Sequence, residues 1–274
     1  MDLKQECEKT FYRELYHFED ESQQLLMDET TRKLYLRKEK QFYDLQVYRY
    51  LKEHACPQLA NVHDFWEEDG RLIVIEEYIE GGALDAHLQK EGTLPEEEAL
   101  RILKEICKGL SFLHYATPQI VHRDLKASNV MLTKDGAVKL IDYDAAKTVK
   151  EGAGKDTVLI GTEGNAAPEQ YGFAQSDGRT DIYALGILMK RLFPDTPRYA
   201  HIIQKATQMD PANRYQTVEE LLSDADAAHH AHEGMPGSRG PTETIPKEAS
   251  TAGDSHGRSQ TSHKRIIIPL LCAL

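Results

Sequence analysis

Val121 to Asp144 reads VHRDLKASNVMLTKDGAVKLIDYD. It carries His122-Arg123-Asp124, then Lys126 and Asn129, then Asp142. Two apolar runs, Val130-Met131-Leu132 and Val138 to Ile141, flank a Lys134-Asp135-Gly136 turn. Asp-Gly between short apolar runs predicts a β-hairpin. The polar groups then sit at its two ends, Asp124 and Asn129 entering and Asp142 leaving. Carboxylate and amide oxygens gathered in this way are hard ligands of the kind Mg²⁺ accepts. The alternative is an acidic turn on a surface hairpin. A motif counts for more when its structural context agrees, as the hairpin does here.

The stretch resembles the catalytic loop of eukaryotic-type (Hanks-type) serine/threonine protein kinases, H-R-D-x-K-x-x-N, followed by their metal-binding D-F-G triplet, here Asp142-Tyr143-Asp144. Lys126 is the serine/threonine form of the loop. Further motifs follow in the family's order. Gly161-Thr162-Glu163-Gly164-Asn165-Ala166-Ala167-Pro168-Glu169 is similar to G-T-x-x-Y-x-A-P-E, with Asn165 for the usual tyrosine. Asp181 stands at the start of a helix, and Arg214 lies in Asp210-Pro211-Ala212-Asn213-Arg214-Tyr215. The resemblance implies an α+β, two-lobed kinase fold with a small β-rich N-lobe and a mainly helical C-lobe. It implies transfer of the ATP γ-phosphoryl group to a protein Ser or Thr hydroxyl. Asp124 would accept the hydroxyl proton, Lys126 would neutralise charge on the moving group, and Asn129 and Asp142 would hold Mg²⁺. It also places Thr162 against Asp124 and Lys126, Glu169 against Arg214, and Asp181 against the catalytic-loop backbone. Arg123 is placed to grip a phosphate on Thr148 or Thr157, unless those threonines have no role.

The N-terminal part departs from the pattern. No glycine precedes Gly70, and Phe18-Glu19-Asp20-Glu21-Ser22-Gln23-Gln24 stands where a glycine-rich loop would cover the phosphates. Lys33 to Lys38 reads as the third strand, which puts the phosphate-gripping cation at Arg37 or Lys38; strand alternation is compatible with either. Gln41 to His54 has apolar positions at Leu45, Val47, Tyr48 and Leu51, compatible with an amphipathic helix. The acid expected near Gln46 is missing. Glu76-Glu77-Tyr78-Ile79-Glu80-Gly81-Gly82 is similar to the hinge, where backbone around Glu77 and Ile79 would bind adenine. Glu76 then falls at the back of the nucleotide pocket, either paired with Arg37 or Lys38 or turned to solvent. Because of these departures, the alternative reading is a pseudokinase, a binding or scaffolding module on the same fold. A small-molecule kinase is a third reading, which the A-P-E segment and Thr162 disfavour.

The 274 residues are 40% hydrophobic and 28% charged, enough for one large or two-lobed domain. A net charge of -12 argues against nucleic-acid binding. The scattered Cys7, Cys56, Cys107 and Cys272 suggest neither a zinc site nor a disulfide framework, and a cytoplasmic setting is the expectation. The N-terminus shows no apolar signal segment. The expected organisation is a kinase domain over 1–228, with an N-lobe of about 11–79 and a C-lobe of about 80–228. A disordered polar linker would follow over 229–264, then an apolar end over 265–274. That end is too short to span a bilayer. It reads as a peripheral membrane contact or a truncated membrane helix. The run His229-His230-x-His232 reads as solvated rather than metal-binding.

Overall fold

The computed structural model describes residues 11–18, 23–149, 162, 164–172 and 175–233. Five strands open the chain: β1 (Tyr12–His17), β2 (Gln23–Asp28), β3 (Leu34–Lys40), β4 (Val62–Glu68) and β5 (Arg71–Glu77). They pair antiparallel in the order β1-β2-β3-β5-β4. The buried run Leu72 to Ile75 makes β5 the inner strand of the sheet. Between β3 and β4 lies helix α1 (Leu45–Glu53). It starts later than the periodicity suggests because the Asp44 carboxylate accepts the Gln46 N–H and caps it. Val47, Tyr48 and Leu51 are its buried face.

The remaining elements are β6 (Gly81–Ala83), α2 (Leu84–Glu91), α3 (Glu96–His114), β7 (Ile120–Val121), β8 (Val130–Thr133), β9 (Val138–Leu140), β10 (Lys147–Thr148), α4 (Gly178–Leu192), α5 (Ala200–Ala206) and α6 (Val218–Glu233). The expected hairpin is β8–β9, with Val130 opposite Leu140 and Leu132 opposite Val138. β6 joins it on the other edge. Gly81 is required there, since a Cβ on it would lie 2.1 Å from the Leu132 carbonyl oxygen. α3 and α4 are the inner helices; Ile102, Leu103, Ile106, Leu110, Ile182, Leu185 and Met189 are fully enclosed. This is the expected mixed α+β arrangement, strands first and helices after.

The described residues up to His229 belong to one compact unit. α6 runs to Glu233, so helix occupies the start of the stretch expected to be linker. His229 is not solvated as expected: its Nδ1 lies 3.0 Å from Glu96 Oε1. The apolar end over 265–274 lies outside the described residues. Among the described residues, no helix is long and apolar enough to cross a membrane.

Candidate active site

The catalytic loop hangs from a buried carboxylate. Asp181, on the first turn of α4, accepts the backbone N–H of His122 at 2.9 Å and of Arg123 at 2.8 Å. His114 Nε2, at the end of α3, lies 2.8 Å from the same group. Burial works against the Asp181 charge, but the hydrogen bond and charge of His114, the nearby His122 and the Arg123 N–H outweigh it. They hold its carboxyl below the usual range. Two non-glycine residues take left-handed backbone at the ends of the motif, Arg123 at φ 68° and Asp142 at φ 69°. Such angles are uncommon outside glycine and persist where surroundings enforce them.

Four side chains converge past Arg123. Thr162 donates its hydroxyl to Asp124 Oδ1 at 2.8 Å. Lys126 Nζ donates to Thr162 Oγ1 at 2.8 Å and lies 2.9 Å from Asp124 Oδ2. Asn129 Nδ2 donates to the Asp124 carbonyl at 2.9 Å and to Oδ2 at 3.0 Å. The Asn129 carbonyl accepts the Ile141 N–H at 3.0 Å, which seats Asp142 beside Asn129. Tyr143, in the place of the family's phenylalanine, is buried and donates its hydroxyl to the Ala60 carbonyl at 2.9 Å. Asn129 and Asp142 are the residues whose side-chain oxygens, hard ligands by chemistry, could hold Mg²⁺ at this end of the hairpin. Among the described residues no group of three or more His, Cys, Asp or Glu forms a metal cage. Mg²⁺ ordinarily completes its shell with water and substrate phosphate.

β3 turns Arg37 and Lys38 to opposite faces of the sheet. Strand residues alternate between faces. Leu36 lies opposite Glu76 and Lys38 opposite Val74 on β5. The Lys38 ammonium is buried and 2.7 Å from Glu76 Oε2. Glu76 is thus paired with Lys38 and not turned to solvent, which is one of the two sequence readings. Arg37 faces the other way, 2.8 Å from Glu39, which also holds Arg71 at 3.0 Å. It is therefore set apart from the hairpin. Lys40, on the Lys38 face, was not singled out by the sequence. Its ammonium lies 2.6 Å and 2.8 Å from the two oxygens of Asp144 and 3.9 Å from Asp142. The available signal was Asp144 itself, an extra carboxylate where the family has glycine. Burial disfavours the Asp142 charge, yet Lys40 and then Lys38 hold its carboxyl low; burial and the Asp142 charge push Asp144 up, against Lys40.

Gln46 faces the activation segment instead: its Oε1 accepts the Thr148 hydroxyl at 3.3 Å. Asp44 Oδ2 accepts the Thr148 N–H at 2.9 Å and its hydroxyl at 2.7 Å. Thr148 is 1% exposed, and its hydroxyl is enclosed and engaged with the Asp44 carboxylate. Thr157 and residues 19–22 lie outside the described residues. At the hinge, Glu77 uses its carboxylate to accept from Asn61 Nδ2 at 2.9 Å and Lys139 Nζ at 2.8 Å, and Ile79 is buried. Glu169 and Arg214 form the expected pair, fully enclosed, at 2.7 Å and 2.9 Å.

The sequence matches the model of the protein kinase domain over residues 29–247. It is 30% identical over 202 residues to a probable serine/threonine-protein kinase of Clostridium perfringens, covering 62% of this chain and 29% of that one. Serine/threonine-protein kinase PrkC of Bacillus subtilis is 29% identical over 207 residues, 64% of this chain and 32% of that one. Protein kinase C zeta type of Oryctolagus cuniculus is 37% identical over 152 residues, 53% and 24% of the two chains. The chain spans about a third of the length of the curated relatives it matches.

Proposed function

The chain belongs to the protein kinase family, and we propose that it transfers the γ-phosphoryl group of ATP to a serine or threonine hydroxyl of a protein. The observation that carries this reading is the convergence of Thr162, Lys126 and Asn129 on the Asp124 carboxylate. A carboxylate held in one orientation by three partners can accept a proton from a hydroxyl presented to it. That hydroxyl oxygen then bonds to the γ-phosphorus as the bond from phosphorus to the β,γ-bridging oxygen breaks and ADP leaves. Lys126 stands next to Asp124 and stabilises the charge that develops on the moving group. Little covalent work falls to the protein in such a transfer; positioning and electrostatics dominate. Asn129 and Asp142 would hold Mg²⁺, which neutralises phosphate charge when bound. Lys38 is the cation of β3 on the hairpin face, and backbone at Glu77 and Ile79 would take the adenine.

A pseudokinase draws no support from these relatives, which are named as kinases, and a scaffold has no need to keep four polar groups in mutual contact. The test uses the purified chain with ATP, Mg²⁺ and a basic protein substrate, beside Asp124→Asn. Transfer should fall about 100- to 10,000-fold in the variant, the usual worth of a positioned proton acceptor. Equal transfer in both proteins would overturn the role of Asp124. No transfer by the parent, with no nucleotide-induced rise in Tm, would overturn the kinase reading itself.

A further inference from the structure

We propose that Lys40 is a positioning residue that holds the Asp142-Tyr143-Asp144 turn from β3, through Asp144. The proposal rests on the kinase reading above for its catalytic consequence, but not for the contact itself. Asp142 and Asp144 put two carboxylates next to each other where the family pattern has one. Their mutual repulsion opens the turn unless a cation stands between them. Lys38 also acts on Asp142, but Glu76 engages its ammonium at 2.7 Å inside the sheet. Lys40 is the next residue along β3 on that face. Its side chain is only 10% exposed and contacts both Asp144 oxygens, with Asp142 at 3.9 Å. A lysine stem buried along a strand offers its charge in one direction only, so the contact fixes the turn to the sheet. On α1, the corresponding tether is absent from the lysine side: Gln46 and Asp44 bind Thr148 instead. The sheet therefore holds the turn that carries Asp142 by way of Lys40 and Asp144.

A clamp and a phosphate-gripping lysine predict different double variants. If Lys40 serves to balance Asp144, the lysine is needed only while the extra carboxylate is present. Lys40→Met should lower kcat about 10- to 100-fold, the scale of a misplaced catalytic group. Adding Asp144→Gly should return kcat to within about threefold of the parent, since the family pattern carries glycine there and the repulsion is gone. If Lys40 instead grips phosphate, the double variant stays as poor as the single one and the loss falls on KM for ATP. That result overturns the proposal. A second measurement needs no catalysis. Thermal unfolding without nucleotide or metal should show Lys40→Met lowering Tm by about 2–4 °C in the Asp144 background. In the Asp144→Gly background Tm should be nearly unchanged. Equal losses in both backgrounds would show that the two residues are uncoupled and would sink the clamp. A parent chain that proves inactive leaves this thermal cycle intact, so failure of the kinase reading and failure of the clamp are told apart.

Discussion

Among the departures of this chain from the family pattern is a buried ion pair, Lys38 with Glu76. Both side chains are almost fully enclosed, at 8% and 2% exposed. Taking two charges out of water costs several kcal/mol per ion, and their attraction returns that only while both are present. Glu76→Ala should therefore destabilise the fold by about 3–5 kcal/mol, because it leaves an ammonium alone in the sheet. Lys38→Met combined with Glu76→Leu should recover most of the loss, since apolar groups of similar volume replace a buried pair at little cost. Urea midpoints of the parent and the two variants decide this; a double variant as unstable as Glu76→Ala would mean that the pair is held for shape and not for charge balance. The sequence alone showed two charged residues on neighbouring strands. It did not show which of Arg37 and Lys38 faced inward, because alternation fixes two faces without saying which is which. The register against Glu76 decides that, and register is set by the hydrophobic face of β5, a long-range property.

At the scale of elements, Asp44 joins α1 to β10, the short strand that follows the hairpin. One carboxylate oxygen caps the helix by accepting the Gln46 N–H at 3.0 Å, and the other binds Thr148 twice. β10, which carries Thr148, pairs in turn with β7, the strand that leads into His122. Helix, activation segment and catalytic loop are thus linked through one side chain. Asp44→Ala should cost about 1–2 kcal/mol from the cap and as much again from the Thr148 bonds. Asp44→Ser should restore the cap alone, because a serine hydroxyl is too short to serve both partners. Amide exchange separates the two effects: residues of α1 should regain protection in Asp44→Ser, while Thr148 and Val149 should stay fast. Protection regained at both places would mean that the link to Thr148 carries no stability. The hairpin end of the site was legible in the sequence because its chemistry fixes residue type and spacing at short range. Asp124, Lys126, Asn129 and Asp142 lie within a few turns of chain, and the Asp135-Gly136 turn announces how they meet. Thr148 and Lys40 were not legible in this way. Their partners Asp44 and Asp144 are about a hundred residues away, and nothing local distinguishes an enclosed threonine from an exposed one.

For the whole molecule, Asp181 and the Glu169–Arg214 pair tie the catalytic loop and the segment after it to the helical core. Arg214 reaches Glu169 with two bonds and also holds the carbonyls of Arg179, Gln208 and Met209. Asp181 is wholly enclosed and binds two backbone N–H groups and His114. Its carboxyl is held below the ordinary range despite burial, by His114, His122 and the Arg123 N–H. The sign of the pH effect follows. An unfolded Asp ionises near about 3.9. Between that value and the lower folded one, the unfolded chain binds more protons than the folded one, so stability rises with pH there. The contribution of Asp181 is complete above about pH 5 and is lost as pH falls through about 4 and below. Asp181→Asn keeps the shape but offers an amide to groups that all donate, which costs about 1.5–3 kcal/mol at neutral pH. Urea titrations of parent and variant from pH 7 to pH 3 should therefore converge: the parent starts higher and falls faster, and the gap closes at the acid end. Parallel curves would show that Asp181 is not the carboxylate that links the catalytic loop to acid stability. In that case other carboxylates held low, such as Glu39 beside Arg37 and Arg71, would carry the acid dependence instead.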